Sequence, residues 1–156
     1  MTGRIVLAIA PDTAERAVDT AFALAAERGL ALLAVRTWHD PDLPLGGWLQ
    51  PDRTARWDAA HAKARCELDS ALEGARTAHP AVHVTPIVAD DDLVPFLSAL
   101  STRADLLVVG RSTQPGHRAS PVDALVRRAA CPVLVVPPSR GAPNVRAGVL
   151  ASTSGG

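Results

Sequence analysis

The stretch that most constrains the fold is residues 104–137, which read ADLLVVGRSTQPGHRASPVDALVRRAACPVLVVP. Two short apolar runs rich in β-branched residues, Leu106–Val109 and Val133–Val136, flank a polar loop and a segment of helical pattern. Apolar runs bounded by Gly and Pro predict buried strands, and strand, helix and strand in succession predict a βαβ unit. The loop after the first strand opens at the carboxyl edge of a parallel sheet, where α/β proteins bind ligands. We therefore expect a ligand to bind at this loop.

The beginning of the chain repeats the same pattern. Arg4–Ala10 is an apolar run that predicts a buried strand, and Ala14–Arg28 carries apolar residues at helical spacing. Gly29 supplies the left-handed residue that ends a helix, and Leu30–Thr37 predicts a second buried strand. A right-handed crossover makes these two strands parallel neighbours.

The middle of the chain adds one more strand and two more helices. Trp38–Arg53 shows no hydrophobic periodicity and predicts a long irregular loop. Thr54–Ala78 then predicts a long amphipathic helix. Val82–Ala89 predicts a third strand, in which Pro86 favours an edge position or a bulge. A further helix is expected from the aspartates at 90–92 to about residue 102. Five strands and four helices predict a single open α/β sheet with helices on both faces.

Composition sets the number of domains. The chain has 156 residues, of which 47% are hydrophobic and 21% charged, as is typical of a folded globular domain. Residues 1–137 contain all the predicted elements and are interpreted as one domain. Residues 138–156 are rich in Ser, Gly, Pro and Ala and are predicted to form a disordered tail.

Charge and hydropathy disfavour several classes of partner. The 16 basic and 16 acidic residues balance, whereas a protein that binds nucleic acid through phosphates carries a basic excess. No apolar run approaches the roughly 18 residues of a membrane span, and Ile5–Ala10 is too short for a signal peptide. We therefore expect a cytoplasmic protein that binds neither nucleic acid nor membrane.

Cys66, Cys131 and the histidines lack metal-ligand spacing, so no metal is expected.

The loop Gly110–Ser120 allows two interpretations. Ser120 is a good N-cap with Pro121 at the first helical position, and a helix N-terminus at a sheet edge can bind an anion. Positive charge is added there by Arg111, His117 and Arg118. Alternatively, Ser120 only caps the helix, because Pro121 removes one backbone donor and Asp123 already occupies the positive end of the helix.

Other candidate chemistry is weaker. The phosphate-binding signatures GxxxxGK[ST] and GxGxxG are absent, as is the GxSxG nucleophile motif, so no catalytic residue is predicted. A phosphoacceptor site built on Asp12 and the aspartates at 90–92 would need a lysine after the last strand, where Pro137 stands. We interpret those three aspartates as helix-capping residues. Trp38, Trp48 and Trp57 either line a ligand pocket or, as we favour, pack the long loop against a helix.

Residues 3–137 together resemble the universal stress protein family. The likeness rests on RIVLAIAPDTAERAVDTAFALA (4–25), LALLAVRTW (30–38), ADLLVVG (104–110) and, most specifically, ASPVDALVRRAACPVLVVP (119–137). The resemblance implies an adenine nucleotide alpha hydrolase-like fold, with five parallel strands in the order 3-2-1-4-5. It also implies a cytoplasmic, non-enzymatic stress-response protein that forms a homodimer through Val133–Val136. An apolar last strand would otherwise leave an exposed sheet edge.

The resemblance also locates a degenerate nucleotide site. ATP-binding members carry G-x2-G-x9-G-[S/T] after the fourth strand. Here Gly110 matches the first glycine, Thr113 replaces the second, Ala119-Ser120 stands at the end, and the spacer is four residues short. The family's Asp at the end of the first strand is replaced by Ala10, with Asp12 two positions further on.

Three hypotheses follow for the function. The first is a homodimeric stress-response protein with weak or absent ATP binding. The second is a small ATP- or AMP-binding protein that uses the Gly110–Ser120 loop for phosphate, with slow hydrolysis. The third is a phosphoacceptor domain, which the missing lysine disfavours. The candidate nucleotide-binding residues are Pro11, Asp12, Val35, Gly110, Arg111, Thr113 and Ser120.

Overall fold

The short apolar runs form strands, and the segments of helical periodicity form the helices between them. The structure is a computed structural model that describes residues 3–10, 15–38, 53–111 and 121–138. Its elements are β1 (Arg4–Ala8), α1 (Glu15–Arg28), β2 (Ala31–Thr37), α2 (Arg53–Ala78), β3 (Val84–Ala89), α3 (Leu93–Ser101), β4 (Leu106–Gly110), α4 (Pro121–Arg128) and β5 (Val133–Val136). The predicted order of elements is confirmed. The predictions for most of the Trp38–Arg53 loop and for residues 139–156 of the tail lie outside the described residues.

The strands form one parallel sheet in the order β3-β2-β1-β4-β5. The central strand is apolar on both faces, and Ile5, Val6 and Leu7 are fully buried. A parallel strand covered by helices on both faces needs such a continuous apolar run. The order and the parallel pairing predicted from the resemblance are therefore confirmed.

Two helices cover each face of the sheet. On one face, α1 and α2 bury Ile5, Leu7 and Phe22 together with the α2 residues Leu68 and Leu72. The α2 residues recur at the four-residue spacing of an amphipathic helix. As predicted, α1 ends before Gly29, which has a positive φ of 64°.

The opposite face buries a second cluster under α3 and α4. Val6, Val35 and Leu107 from the sheet pack against Leu97 of α3 and Leu125 of α4. Crossovers to β2 and β3 run in one direction along the sheet and those to β4 and β5 in the other, which explains why the helices divide two and two.

α3 begins directly after the three aspartates, as predicted. Asp92 occupies the N-cap position with extended backbone angles, and its side chain makes no capping hydrogen bond. The carboxylate therefore acts through its charge near the positive end of the helix dipole.

The two edge strands, β3 and β5, differ in what they present to solvent. The N–H of Leu32 donates to the carbonyl of His83 and that of Trp38 to the carbonyl of Ala89. Since strand residues alternate between the two sides of a parallel ladder, residues 83, 85, 87 and 89 pair with β2, and the backbone of Val84, Pro86 and Val88 points outward. Pro86 therefore costs the sheet no hydrogen bond, which confirms the edge position that its presence predicts.

Within the described residues, no helix combines the length and the apolar character needed to cross a bilayer.

Candidate functional site

The candidate site is the crevice at the carboxyl edge where β1 and β4 lie side by side. Ala8 pairs with Val109 at the ends of these strands. After β1 the chain goes to α1 on one face, and after β4 it goes to α4 on the other face. This divergence of neighbouring connections opens the crevice in which open α/β sheets bind ligands.

The structure brings three of the predicted site residues to this edge. Gly110 is the last residue of β4, and Arg111 follows it, with its N–H donating to the carbonyl of Val136. Val35 lies in β2, on the other side of β1. The remaining candidates, Pro11, Asp12, Thr113 and Ser120, lie outside the described residues.

Val35 supports the site from within the sheet. Its side chain is fully buried, and its carbonyl accepts a hydrogen bond of 2.8 Å from the N–H of Ile9. By the same ladder alternation, the backbone of Thr37 also faces the β1 side, beyond Ala8 where β1 ends. Thr37 is therefore a candidate backbone contact for a ligand. The sequence prediction missed Thr37 because the side to which a residue's backbone points depends on the pairing register of the strands.

Arg111 faces an acidic partner at the start of α4. Its Nη2 lies 3.9 Å from Oδ1 of Asp123, and the two side chains are 56% and 65% exposed. An exposed ion pair of this kind contributes little to stability. It nevertheless places a carboxylate in the first turn of α4, where an anionic ligand would meet the helix N-terminus.

An aromatic cluster of Trp38, Trp57 and His61 lies at the same sheet edge, on the α2 side. The rings of Trp38 and Trp57 meet edge to face at 5.6 Å, and Trp57 stacks on His61 at 5.3 Å. Trp57 Nε1 also donates to Oδ2 of Asp90, just after β3, at 3.4 Å. These contacts hold the beginning of α2 against the ends of β2 and β3. The predicted packing of the long loop against the helix lies outside the described residues. Trp48 lies outside the described residues.

A buried arginine next to this cluster was not predicted from the sequence. The side chain of Arg36, in β2, is only 9% exposed and donates from Nη2 to Oε2 of Glu67 in α2. Lys63 lies 4.0 Å from the same carboxylate but is 78% exposed. The sequence does contain a signal for this buried pair, because Arg36 is a charged residue at an inward-facing position of an otherwise apolar strand. Such a residue needs a partner, because an unpaired buried charge is costly.

Two observations in the described part of the chain concern nucleophile and metal chemistry. Burial raises the pKa of the Cys131 thiol and the charge of Asp105 adds to the rise, although a backbone hydrogen bond opposes it. A raised thiol pKa disfavours the reactive thiolate, so Cys131 is interpreted as a packing residue. In residues 3–10, 15–38, 53–111 and 121–138, no three His, Cys, Asp or Glu side chains are grouped so that they could hold a metal ion.

The sheet order and the crevice together define an α/β protein with an adenine nucleotide alpha hydrolase-like fold. The chain matches the model of the universal stress protein family over residues 1–137. It therefore belongs to the universal stress protein family, as the sequence resemblance predicted. No match to the chain is found among curated proteins.

Solved structures share the fold over nearly their whole length. The universal stress protein UspA from Lactobacillus plantarum has a TM-score of 0.70 at 19% identity, over 86% of this chain and 97% of its own. A universal stress protein family member from Burkholderia pseudomallei has a TM-score of 0.64 at 27% identity, over 86% and 96%. A family member from Arabidopsis thaliana with AMP bound has a TM-score of 0.57 at 15% identity, over 88% and 93%.

Proposed function

We propose that this protein is a cytoplasmic, non-enzymatic stress-response protein that acts as a homodimer and binds ATP weakly or not at all. The observation that carries the proposal is the contact between Arg111 and Asp123 at the phosphate end of the crevice. A phosphate there needs backbone donors and positive charge. The carboxylate of Asp123 partly neutralises the charge of Arg111 and repels an incoming phosphate.

The missing glycines add to this effect. Where ATP-binding members have glycine, Thr113 and Ala119 stand, and each carries a Cβ that restricts the approach of a backbone to phosphate. The crevice keeps Gly110 at the end of β4 and the backbone of Thr37 in β2, beside the end of β1. Each additional phosphate of a ligand extends the negative charge toward Asp123, so the penalty is largest for a triphosphate.

The alternative is an ATP- or AMP-binding protein that uses the Gly110–Ser120 loop for phosphate. One observation supports it: the Arabidopsis thaliana relative holds AMP on the same fold. Arg111 remains half-exposed and is able to turn toward a phosphate. The two functions differ in the affinity that they predict for ATP.

The first prediction is that ATP with magnesium binds with a dissociation constant of about 1 mM or weaker, because little binding energy is available at the phosphate end. The measurement is an NMR titration of the purified protein, which reports millimolar binding, with AMP titrated in parallel. A dissociation constant for ATP in the micromolar range, or turnover of ATP to ADP, would contradict the proposal and favour the alternative.

The second prediction is that Asp123→Asn strengthens the binding of ATP about fivefold, because it removes a carboxylate worth about 1 kcal/mol from a helix N-terminus. The gain should shrink as salt is added, since the pair is exposed. Glu73→Gln, which removes an exposed carboxylate from the far end of α2, is the matched control and should leave the affinity unchanged. Equal effects of both substitutions would show that net charge, rather than this contact, controls binding.

The proposed dimer forms through the free edge of β5. The N–H of Leu107 donates to the carbonyl of Pro132 and that of Arg111 to the carbonyl of Val136, so the backbone of Val133 and Val135 points outward. A second copy paired antiparallel, with the two-fold axis at Leu134, sets Val133 opposite Val135 of the copy and closes four hydrogen bonds. Isologous pairing of this kind is the commonest dimer geometry.

Apolar surface next to this edge supports the same interface. Val126 is 53% exposed on α4, the helix that packs beside β5. Val133 and Val135 are themselves half-buried. An unpaired apolar strand of this kind is a liability that a second strand removes.

A further inference from the structure

We propose that Pro86 closes the β3 edge of the sheet against a second copy of this chain, and so limits assembly to a closed dimer. An open parallel sheet has two edges, here β3 and β5. If β5 forms the dimer, as proposed above, a β3 edge that could also pair would join dimer to dimer without end. The block at β3 is itself a property of that strand and does not depend on β5.

The position of Pro86 in the ladder makes it an effective block. Outward-pointing backbone belongs to Val84, Pro86 and Val88, and of these the central residue has no N–H. The two remaining donors are four residues apart, about 13 Å at the rise of a strand. A strand approaching β3 therefore meets no two successive donors, whereas at β5 Val133 and Val135 supply them.

The composition of β3 explains why this edge needs a block against pairing. The strand reads VTPIVA and contains no charged residue, and five of its six residues are only partly buried. Natural sheets protect such edges with charges, prolines, bulges or short strands. Within Val84–Ala89, proline is the device present. It is tolerated because β2 receives its hydrogen bonds from residues 83, 85, 87 and 89.

The test compares Pro86→Val with two matched variants by sedimentation velocity over a range of concentrations. Pro86→Val restores the missing outward donor and removes no native hydrogen bond. Thr85→Val makes the same strand more apolar but adds no outward donor, because residue 85 pairs with β2. Val84→Pro and Val88→Pro together in the Pro86→Val background leave residue 86 as the single outward donor among residues 84–89 and remove no hydrogen bond to β2.

We expect the wild type and Thr85→Val to sediment alike, and Pro86→Val to form species of at least twice the wild-type mass that grow with concentration. Adding Val84→Pro and Val88→Pro together should restore the wild-type mass, because no two successive donors then remain on the outer side of β3. An unchanged mass for Pro86→Val overturns the proposal. So does association that Val84→Pro and Val88→Pro together fail to reverse, because that would come from partial unfolding rather than from an open edge. A monomeric wild type would contradict the β5 dimer alone, and association of Pro86→Val would then still support the block.

Discussion

Glu67→Ala is expected to lower the free energy of unfolding by about 2–3 kcal/mol, because it leaves the buried guanidinium of Arg36 without its carboxylate partner. The Arg36 side chain is 9% exposed and pairs with Glu67, and its Nε is buried without a hydrogen-bond partner among the described residues. Removing one partner of a fully buried pair costs about 3–5 kcal/mol. Glu67 is 40% exposed, so water can partly reach the vacated position, and the expected cost is smaller.

Lys63→Ala is the matched control for this prediction. Lys63 contacts the same carboxylate at 4.0 Å, but it is 78% exposed and one turn away on α2. Exposed pairs at this spacing contribute about 0.3–0.5 kcal/mol. Urea unfolding followed by circular dichroism should show a large shift in midpoint for Glu67→Ala, a small one for Lys63→Ala, and unchanged slopes. Equal shifts would mean that Arg36 does not depend on Glu67.

A double variant tests the physical cause. Arg36→Met with Glu67→Ala removes the buried charge together with its partner and keeps the apolar stem of residue 36 against α2. Replacing a buried ion pair by apolar residues is often neutral. We therefore expect the double variant to be more stable than Glu67→Ala alone. A further loss would show that Arg36 contributes through other contacts of its side chain.

The sheet could be predicted because its strands carry their own signal. Runs such as Ile5–Ala8 and Leu106–Val109 are apolar at every position, which only a strand buried on both faces requires. Pro86 likewise indicated an edge, because a proline in a strand fits only where no neighbour needs its N–H. The alternation of strands and helices, together with the family resemblance, then predicted the order of the strands in the sheet.

The site could be predicted only in part, because its residues depend on pairing register. Val35 was predicted as a site residue from the family resemblance, yet its carbonyl is used by Ile9 in the ladder. Thr37 is two residues further on and faces the crevice side. Nothing in the local pattern distinguishes these two positions until the end of β1 is known. The partnership of Arg36 with Glu67 is equally nonlocal, since 31 residues separate them.

Val135→Pro is expected to raise the dissociation constant of the proposed dimer at least 100-fold. The N–H of residue 135 points outward from β5, so the substitution removes no hydrogen bond to β4. In a two-fold dimer it removes two intermolecular hydrogen bonds and places two rings against the partner strand. Two hydrogen bonds at up to about 1.5 kcal/mol each amount to about 3 kcal/mol, or about 100-fold, before the steric effect of the rings is counted.

Val84→Pro is the control, since it places a proline at the corresponding outward position of the other edge strand. Both variants give up a strand valine and keep every hydrogen bond to the neighbouring strand, so their unfolding midpoints should fall by similar amounts. Sedimentation equilibrium should then show Val84→Pro associating like the wild type, and Val135→Pro as a monomer at the same concentrations. If both variants dissociate alike, the loss reflects general destabilisation. If neither does, the interface lies elsewhere than on β5, because an antiparallel pairing centred on Leu134 loses two of its four hydrogen bonds without the N–H of residue 135.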